Sequence, residues 1–286
     1  MPRSISLTVA SITTLCIALA VLPEPALAQP PVAKTVPWVA TNPLIPHDTW
    51  SGNQIALKGT CANANQYTWN PGDGSPAVTA AIADPYVIEK LHTYTGAPGT
   101  LFTAKLTCTN TVGPTSDTEN YYVRIQNPPP NLPVEVNVAI DRGLWYLHKT
   151  MQRTAGPPPM GHWLSGGVAS GWNYSTSAAN INAFEVNGHL ESGSASDPYT
   201  ETVARGLRQL FAWLTPLGIG SQTNPVGTFN PDANANSRRV EVNQSYPFYQ
   251  GGILMDAIVA AGTPLAVAST GPAGVVGQTY ATVLQD

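Results

Sequence analysis

The residues best suited to chemistry are three carboxylates and one histidine between positions 185 and 197. Glu185 and His189 are four residues apart, so they share one face if this stretch is a helix. A carboxylate beside an imidazole can transfer protons or bind a metal ion. Glu191 and Asp197 follow closely enough to join them, which gives four candidate catalytic residues. The alternative is a polar helix end without chemistry, where His189 is favoured beside the helix C-terminus.

Aromatic residues among glycines form a second candidate site. Trp163, Trp172 and Tyr174 lie in a Gly-rich stretch, and flat aromatic rings suit the apolar faces of sugars. These three residues are therefore candidate binding residues for a polysaccharide. The same side chains could instead pack in the core and in loops, and the sequence leaves both interpretations open.

Motifs of familiar catalytic and metal sites are missing from the sequence. It contains no His-Glu-x-x-His zinc motif, no Gly-x-Ser-x-Gly nucleophile turn, no P-loop and no Gly-x-Gly-x-x-Gly motif. We therefore expect no metal site and no cofactor. Asp73, between two glycines, is a single carboxylate, and we expect it to bond the amides of its own turn rather than calcium.

Composition limits the partners. Only 10% of the 286 residues are charged, the formal net charge is −4, and the sequence has no long run of Lys and Arg. Because clustered cations are needed to bind phosphate backbones, nucleic acid is excluded as a partner. The expected partner is an extracellular protein or a polysaccharide.

The N-terminus predicts export. Arg3 precedes an apolar stretch at 5–22, and the Ala-Leu-Ala at 26–28 is a cleavage site for a signal peptidase. We therefore predict a signal peptide over 1–28 and a secreted, periplasmic or cell-surface protein with no membrane span after cleavage. An uncleaved membrane anchor is the alternative, and the shortness of the apolar stretch argues against it.

Cleavage leaves two cysteines, Cys61 and Cys108. A single pair in an exported protein usually forms a disulfide, and strand alternation puts each cysteine on the apolar face of its strand. We predict a Cys61–Cys108 disulfide closing a loop of about 47 residues. Two buried free thiols are the alternative.

Short alternating runs separated by turn residues predict a β-sandwich over 38–127, after a Pro-rich leader at 29–37. The predicted strands are 54–61, 66–70, 86–91, 101–110 and 120–126. The motifs Trp-Asn-Pro-Gly-Asp-Gly (69–74), His-Thr-Tyr (92–94), Pro-Gly-Thr (98–100) and Thr-Asn (109–110) occur in the order found in PKD modules. This region resembles that family of extracellular Ig-like sandwiches, with Asn-Pro at 70–71 where the family usually has Asp-Phe.

Beyond a Pro-rich linker at 128–133, the hydrophobic period changes to that of helices. We predict helices at 136–151, 177–188, 198–215, 249–261 and 274–285. Asp197 can cap the third helix, and Pro198 fits its first position. The region 134–286 is thus predicted to be all-α, and its apolar end suggests a truncated domain.

The helical region resembles the α/α-toroid superfamily of squalene cyclases and prenyltransferases. The resemblance rests on the repeated helices, on Ala-Ile-Asp-Arg-Gly-Leu-Trp-Tyr-Leu (139–147) and on Gly-Trp-Asn-Tyr (171–174). It implies a partial ring, either a fragment or one completed by another chain. The acidic motifs of the cyclases and the zinc-binding cysteine of the prenyltransferases are missing, so the resemblance implies a scaffold without their activities.

The sequence therefore predicts a multidomain protein, an all-β PKD-like sandwich followed by an all-α region. The favoured function is non-catalytic: the sandwich spaces a helical domain that binds protein, cell envelope or polysaccharide. The alternative is a secreted polysaccharide-active hydrolase or lyase with a toroid catalytic domain, in which Glu185, His189, Glu191 and Asp197 supply the acid–base chemistry.

Overall fold

The computed structural model describes residues 29–113, 115–242 and 246–286, and the predicted signal peptide lies outside these ranges. The first half of the chain forms eight strands. They are β1 (Val32–Val36), β2 (His47–Trp50), β3 (Gln54–Ala62), β4 (Gln66–Asn70), β5 (Val78–Ala81), β6 (Ile88–Thr93), β7 (Leu101–Asn110) and β8 (Thr115–Gln126).

These strands form two sheets, one in the order β1-β3-β6 and one in the order β2-β8-β7-β4-β5. β2 and β8 are parallel, and the other neighbours are antiparallel. Alternate side chains of both sheets meet in one apolar core, as a period of two requires. Its large, fully buried members are Leu57, Trp69, Ile88, Tyr94, Leu106, Tyr121 and Ile125.

A cysteine pair joins the two sheets. Cys61 in β3 and Cys108 in β7 are both fully buried, and their Cα atoms are 5.5 Å apart. The prediction that these cysteines lie at disulfide-bonding distance is confirmed. The alternating apolar face of each strand brings them together in the shared core.

The turn after β4 is held by its own side chains. Gly72 has a φ of +77°, and a Cβ there would overlap the carbonyl oxygen of Thr103, so the position requires glycine. Asp73 accepts a hydrogen bond from the Ser75 amide at 3.0 Å, and its other oxygen lies 2.7 Å from His92 Nε2. Asp73 thus accepts a hydrogen bond from a turn amide, as the sequence predicts. It also contacts His92 in β6, which belongs to the other sheet.

The second half of the chain mixes helices with short strands. Its elements are α1 (Leu132–Thr150), β9 (Gln152–Thr154), β10 (Met160–His162), α2 (Asn173–Glu185), α3 (Pro198–Ala212), β11 (Leu214–Gly218), β12 (Gln222–Asn224), β13 (Gly227–Phe229), β14 (Arg238–Val242), α4 (Pro247–Ala260) and α5 (Tyr280–Gln285). β9 pairs with β10, β11 with β14, and β12 with β13, all antiparallel.

The predicted fold class, an all-β domain followed by an all-α region, is therefore wrong. The chain is mixed α/β, with strands in both halves and helices interspersed among the strands of the second half. The predicted third helix runs to 215, but α3 ends at Ala212. Strand β11 begins two residues later, at Leu214. Pro216, interpreted as a helix stop, sits in a strand that has a single neighbour, where a missing amide hydrogen is tolerated. The partial toroid is wrong for the same reason, since a toroid consists of paired helices.

The predicted last helix, 274–285, is also too long. Gly274 and Gly277 have φ values of +100° and +82°, which a helix cannot contain. Helix α5 therefore begins only at Tyr280, after Thr279, whose hydroxyl accepts a hydrogen bond from the Thr282 amide. Val283, one of the apolar residues near the end of the sequence, is fully buried.

The helices enclose a second apolar core. α2 packs against both α3 and α4, and the buried side chains include Trp163, Ile181, Phe184, Leu207, Phe211, Leu254 and Ile258. The predicted cap of α3 is confirmed, because an Asp197 oxygen accepts a hydrogen bond from the Tyr199 amide at 2.9 Å. None of the helices in the described ranges is long and apolar enough to cross a membrane.

Candidate functional site

The first candidate site is a cleft of about 510 Å³ between α1 and the sheet of β3 and β6, which we call the α1 cleft. Its helical wall consists of residues spaced three or four apart, which therefore share one helix face. They are Val138, Asp141, Arg142, Trp145, Tyr146 and Lys149. The sheet supplies the opposite wall, so the cleft exists only because α1 packs beside the sheet.

A buried ion pair lies in the wall of the α1 cleft. Lys58 of β3 is 1% exposed and forms an ion pair with Asp141 of α1. Its amine also donates to the Asp141 carbonyl oxygen at 3.3 Å. Burial lowers the pKa of Lys58, and the negative charge of Asp141 opposes that effect. His47 lies 4.0 Å from the same carboxylate, and burial lowers its pKa too.

Glu89 of β6 also lines the cleft. Its Oε2 accepts hydrogen bonds from Trp145 Nε1 at 2.5 Å and from Lys149 Nζ at 3.0 Å. Burial alone would raise the pKa of Glu89, but these two hydrogen bonds outweigh it and lower the pKa. Both carboxylates of the cleft therefore already have lysine partners.

Glu185, the first of the predicted catalytic residues, ends α2 in the interior of the protein. The residue is 6% exposed, and neither carboxyl oxygen has a hydrogen-bond partner among the described residues. Burial raises its pKa to about 8, with further contributions from the negative charges of Glu191 and Asp256. The Glu185 carboxyl is therefore mainly protonated at neutral pH.

The other three predicted catalytic residues form two separate contacts. His189 Nδ1 lies 2.6 Å from Asp197 Oδ2, so this histidine supports the cap of α3. Glu191 instead accepts hydrogen bonds from the hydroxyls of Thr263 and Tyr280, both at 3.0 Å. Each of these residues thus holds a loop onto a helix end.

Glu185 and His189 do not share a helix face, contrary to the spacing argument. Helix α2 ends at Glu185, and Gly188 reverses the chain with a φ of +85°. The His189 amide then donates to the Phe184 carbonyl oxygen at 3.1 Å, which completes a helix C-cap. Glu185 and Glu191 interact through their charges.

The three predicted aromatic binding residues lie in different environments. Trp163 is buried in the core, where its indole donates to the Leu147 carbonyl oxygen at 2.7 Å. Tyr174 packs its ring on Trp213, with centroids 4.3 Å apart. Trp172 alone of the three is exposed, at 43%.

Trp172 belongs to a surface that we call the aromatic surface, with Tyr246 and Tyr249 as its other members. The rings of Trp172 and Tyr246 are stacked, with centroids 5.3 Å apart and planes 16° apart. Tyr249 meets Trp172 edge-on at 6.4 Å. The two tyrosines are 65% and 62% exposed. Separation in sequence hides this group, although the aromatic run from Tyr246 to Tyr249 was a signal that could have indicated it.

The backbone presents the aromatic surface in an unusual way. Tyr246 has φ and ψ of 61° and 54°, a left-handed conformation that large side chains rarely adopt. It precedes Pro247, which starts α4, so the ring is placed at the helix N-terminus beside Trp172. Phe248 follows, 95% exposed, and borders a hollow of about 250 Å³ between β11, β14 and α4.

No family model matches any part of the chain, and comparison with curated proteins finds no match. The predicted resemblance to the PKD family is therefore wrong, and the mixed α/β fold overturns the resemblance to the toroid superfamily. The motifs at 69–74 and 92–110 have a local explanation, since tight turns and strand ends in any antiparallel sheet select Gly, Pro, Asp and Asn. Four such motifs in sequence order specify turns rather than a family.

Proposed function

We propose that this protein is an exported, non-catalytic binding protein whose aromatic surface holds a polysaccharide. The exposure of Trp172, Tyr246 and Tyr249 in one group carries the proposal. Exposure of such aromatic rings to water is unfavourable, and covering them with the apolar face of a ligand lowers the free energy. The cysteine pair at bonding distance supports an oxidising compartment.

A neutral polysaccharide suits this surface best. All three members are aromatic, so they offer ring faces to sugar rings, and the tyrosine hydroxyls can exchange hydrogen bonds with sugar hydroxyls. No member of the group carries a charge, so the surface offers no ion pair to a charged ligand. A glycan chain can cover several rings in succession, so several weak contacts together give a higher affinity than any one of them.

Retention on insoluble polysaccharides tests the proposal. We expect the protein to bind at least one of cellulose, chitin, xylan and peptidoglycan in a pull-down assay. Trp172→Ala should weaken that binding roughly tenfold, since it removes the ring that contacts both tyrosines. Phe229→Ala is the matched control, because Phe229 is half exposed but lies in β13.

Two results would overturn the proposal. Failure to bind any of these polymers would exclude polysaccharide binding of this kind. Binding that Trp172→Ala and Phe229→Ala reduce equally would place the site elsewhere on the protein.

One observation favours a second function, that of a polysaccharide-active hydrolase or lyase. Such enzymes use a protonated carboxyl group beside a second carboxylate, and Glu185 holds its proton near the negative charge of Glu191. However, protein atoms cover both Glu185 oxygens, which leaves no room for a substrate bond. Glu185→Gln and His189→Ala test this function, and polymer degradation that survives both changes would exclude the site.

A further inference from the structure

We infer that the α1 cleft is a second binding site, which takes a sugar acid, with Arg142 holding the carboxylate. The inference does not depend on the aromatic surface. The volume of the cleft, about 510 Å³, lies within the usual range for small-ligand sites and can hold one or two sugar rings.

Charge in the cleft favours a ligand with one negative charge. Lys58 is paired with Asp141, and Lys149 with Glu89. Arg142 is the remaining cation among the lining residues, and it makes no ion pair with any residue that the structure describes. The cleft therefore carries one uncompensated positive charge, which a monoanion would neutralise.

Arg142 keeps hydrogen-bond donors free for a carboxylate. Its Nη2 donates to Asn53 Oδ1 at 3.2 Å and to the Gln54 carbonyl oxygen at 2.8 Å. These bonds fix the guanidinium at the mouth of the cleft and leave Nε and Nη1 without an acceptor in the described part of the chain. Nη1 can therefore donate a charge-assisted hydrogen bond to one carboxylate oxygen, and the prior fixing of the guanidinium lowers the entropy cost of binding.

The remaining walls suit a sugar ring. Tyr146 is one helical turn from Arg142, lines the same cleft and is 61% exposed, so its ring can stack against an apolar sugar face. Glu89 and Lys149 can exchange hydrogen bonds with sugar hydroxyls farther along. A phosphate with two charges fits less well, because the carboxylates of Glu89 and Asp141 would repel it.

Calorimetric titration of the full protein with galacturonate tests the inference. We expect saturable binding of galacturonate and none of galactose, which lacks the carboxylate. Arg142→Gln should weaken the affinity about tenfold or more, and Tyr146→Ala should weaken it several-fold. Lys105→Gln is the charge-matched control, since Lys105 is an exposed cation in β7 of the other sheet.

Three further measurements separate the α1 cleft from the aromatic surface and from general anion binding. Trp172→Ala should leave galacturonate binding unchanged, so failure of the aromatic surface and failure of the cleft are distinguishable. Thermal melting checks that each variant is folded. If Arg142→Gln unfolds the protein, Arg142→Lys should still weaken binding, because lysine keeps the charge but lacks a planar group that donates to Asn53 and Gln54 from one nitrogen and to the ligand from another. Absence of galacturonate binding, equal binding of galactose, or displacement by equimolar inorganic phosphate would overturn the inference.

Discussion

Glu185 shows how burial turns an ordinary surface residue type into a proton-holding group. Its carboxyl has no hydrogen-bond partner among the described residues and faces the charges of Glu191 and Asp256, so ionisation is unfavourable and its pKa rises to about 8. An unfolded glutamate ionises near pH 4.5. Between these values the folded state binds more protons than the unfolded state, so this residue makes stability fall as pH rises.

Glu185→Gln should remove that pH dependence, because glutamine imitates the protonated carboxyl. Between pH 5 and pH 7, the free energy of unfolding of the wild type should fall by about 2 kcal/mol relative to that of the variant. Urea unfolding at each pH measures this difference. His148, whose pKa burial lowers to about 3, acts in the opposite direction below pH 6.5. His148 is present in both proteins, so its effect cancels in the difference between their free energies of unfolding. A wild-type-minus-variant difference that is the same at both pH values would contradict the assignment.

At the scale of elements, the second half contains two helix-loop units with some matching features. Asn182 and Asp256 occupy matching places in α2 and α4 and are hydrogen-bonded at 2.8 Å. Gly188 and Gly262 follow with φ values of +85° and +67°, and a buried tyrosine lies in the first turn of the next helix, α3 or α5. The glycine in each unit ends the first helix and directs the loop back to it.

Gly188→Ala tests whether this backbone reversal is needed. The cost should be about 1 kcal/mol, because alanine resists a positive φ while its methyl group meets no atom there. Gly143→Ala is the matched control, since Gly143 is exposed in the interior of α1 and has equal space. It should stabilise the protein by about 0.5–1 kcal/mol. Equal effects of the two substitutions on urea unfolding would contradict a special role for Gly188.

The sequence predicts some of these elements well and misses others. Alternation predicts β3, β4, β6, β7 and β8, and the Asp197-Pro198 cap predicts the start of α3, because these are local signals. β1, β2 and β5 were not predicted. β11 to β14 were missed because each has three to five residues and depends on a partner strand. The α1 cleft joins residues as distant as Lys58 and Asp141, which are 83 positions apart, and the aromatic surface joins Trp172 to Tyr246, which are also far apart in sequence. Local periodicity contains no information on such contacts.

At the scale of the whole molecule, polar contacts join the two halves of the chain. Lys58 forms an ion pair with Asp141, Glu89 accepts a hydrogen bond from Trp145, and His148 contacts a carbonyl oxygen of the loop before β6 at 2.9 Å. Each contact connects a strand or loop of the first half with α1. The α1 cleft therefore depends on how the halves pack, and its shape should change when that packing is disturbed.

Asp141→Asn should disturb it strongly, because it leaves the amine of Lys58 buried without a counter-charge. We expect the free energy of unfolding, measured with urea, to fall by about 3 kcal/mol. Asp48→Asn is the control, since Asp48 pairs with a partly exposed Arg124 and should lose less than about 1 kcal/mol. Replacing both partners, Lys58→Met with Asp141→Leu, should recover most of the loss because no buried charge remains. A double variant no more stable than Asp141→Asn alone would show that the contact works through packing rather than charge.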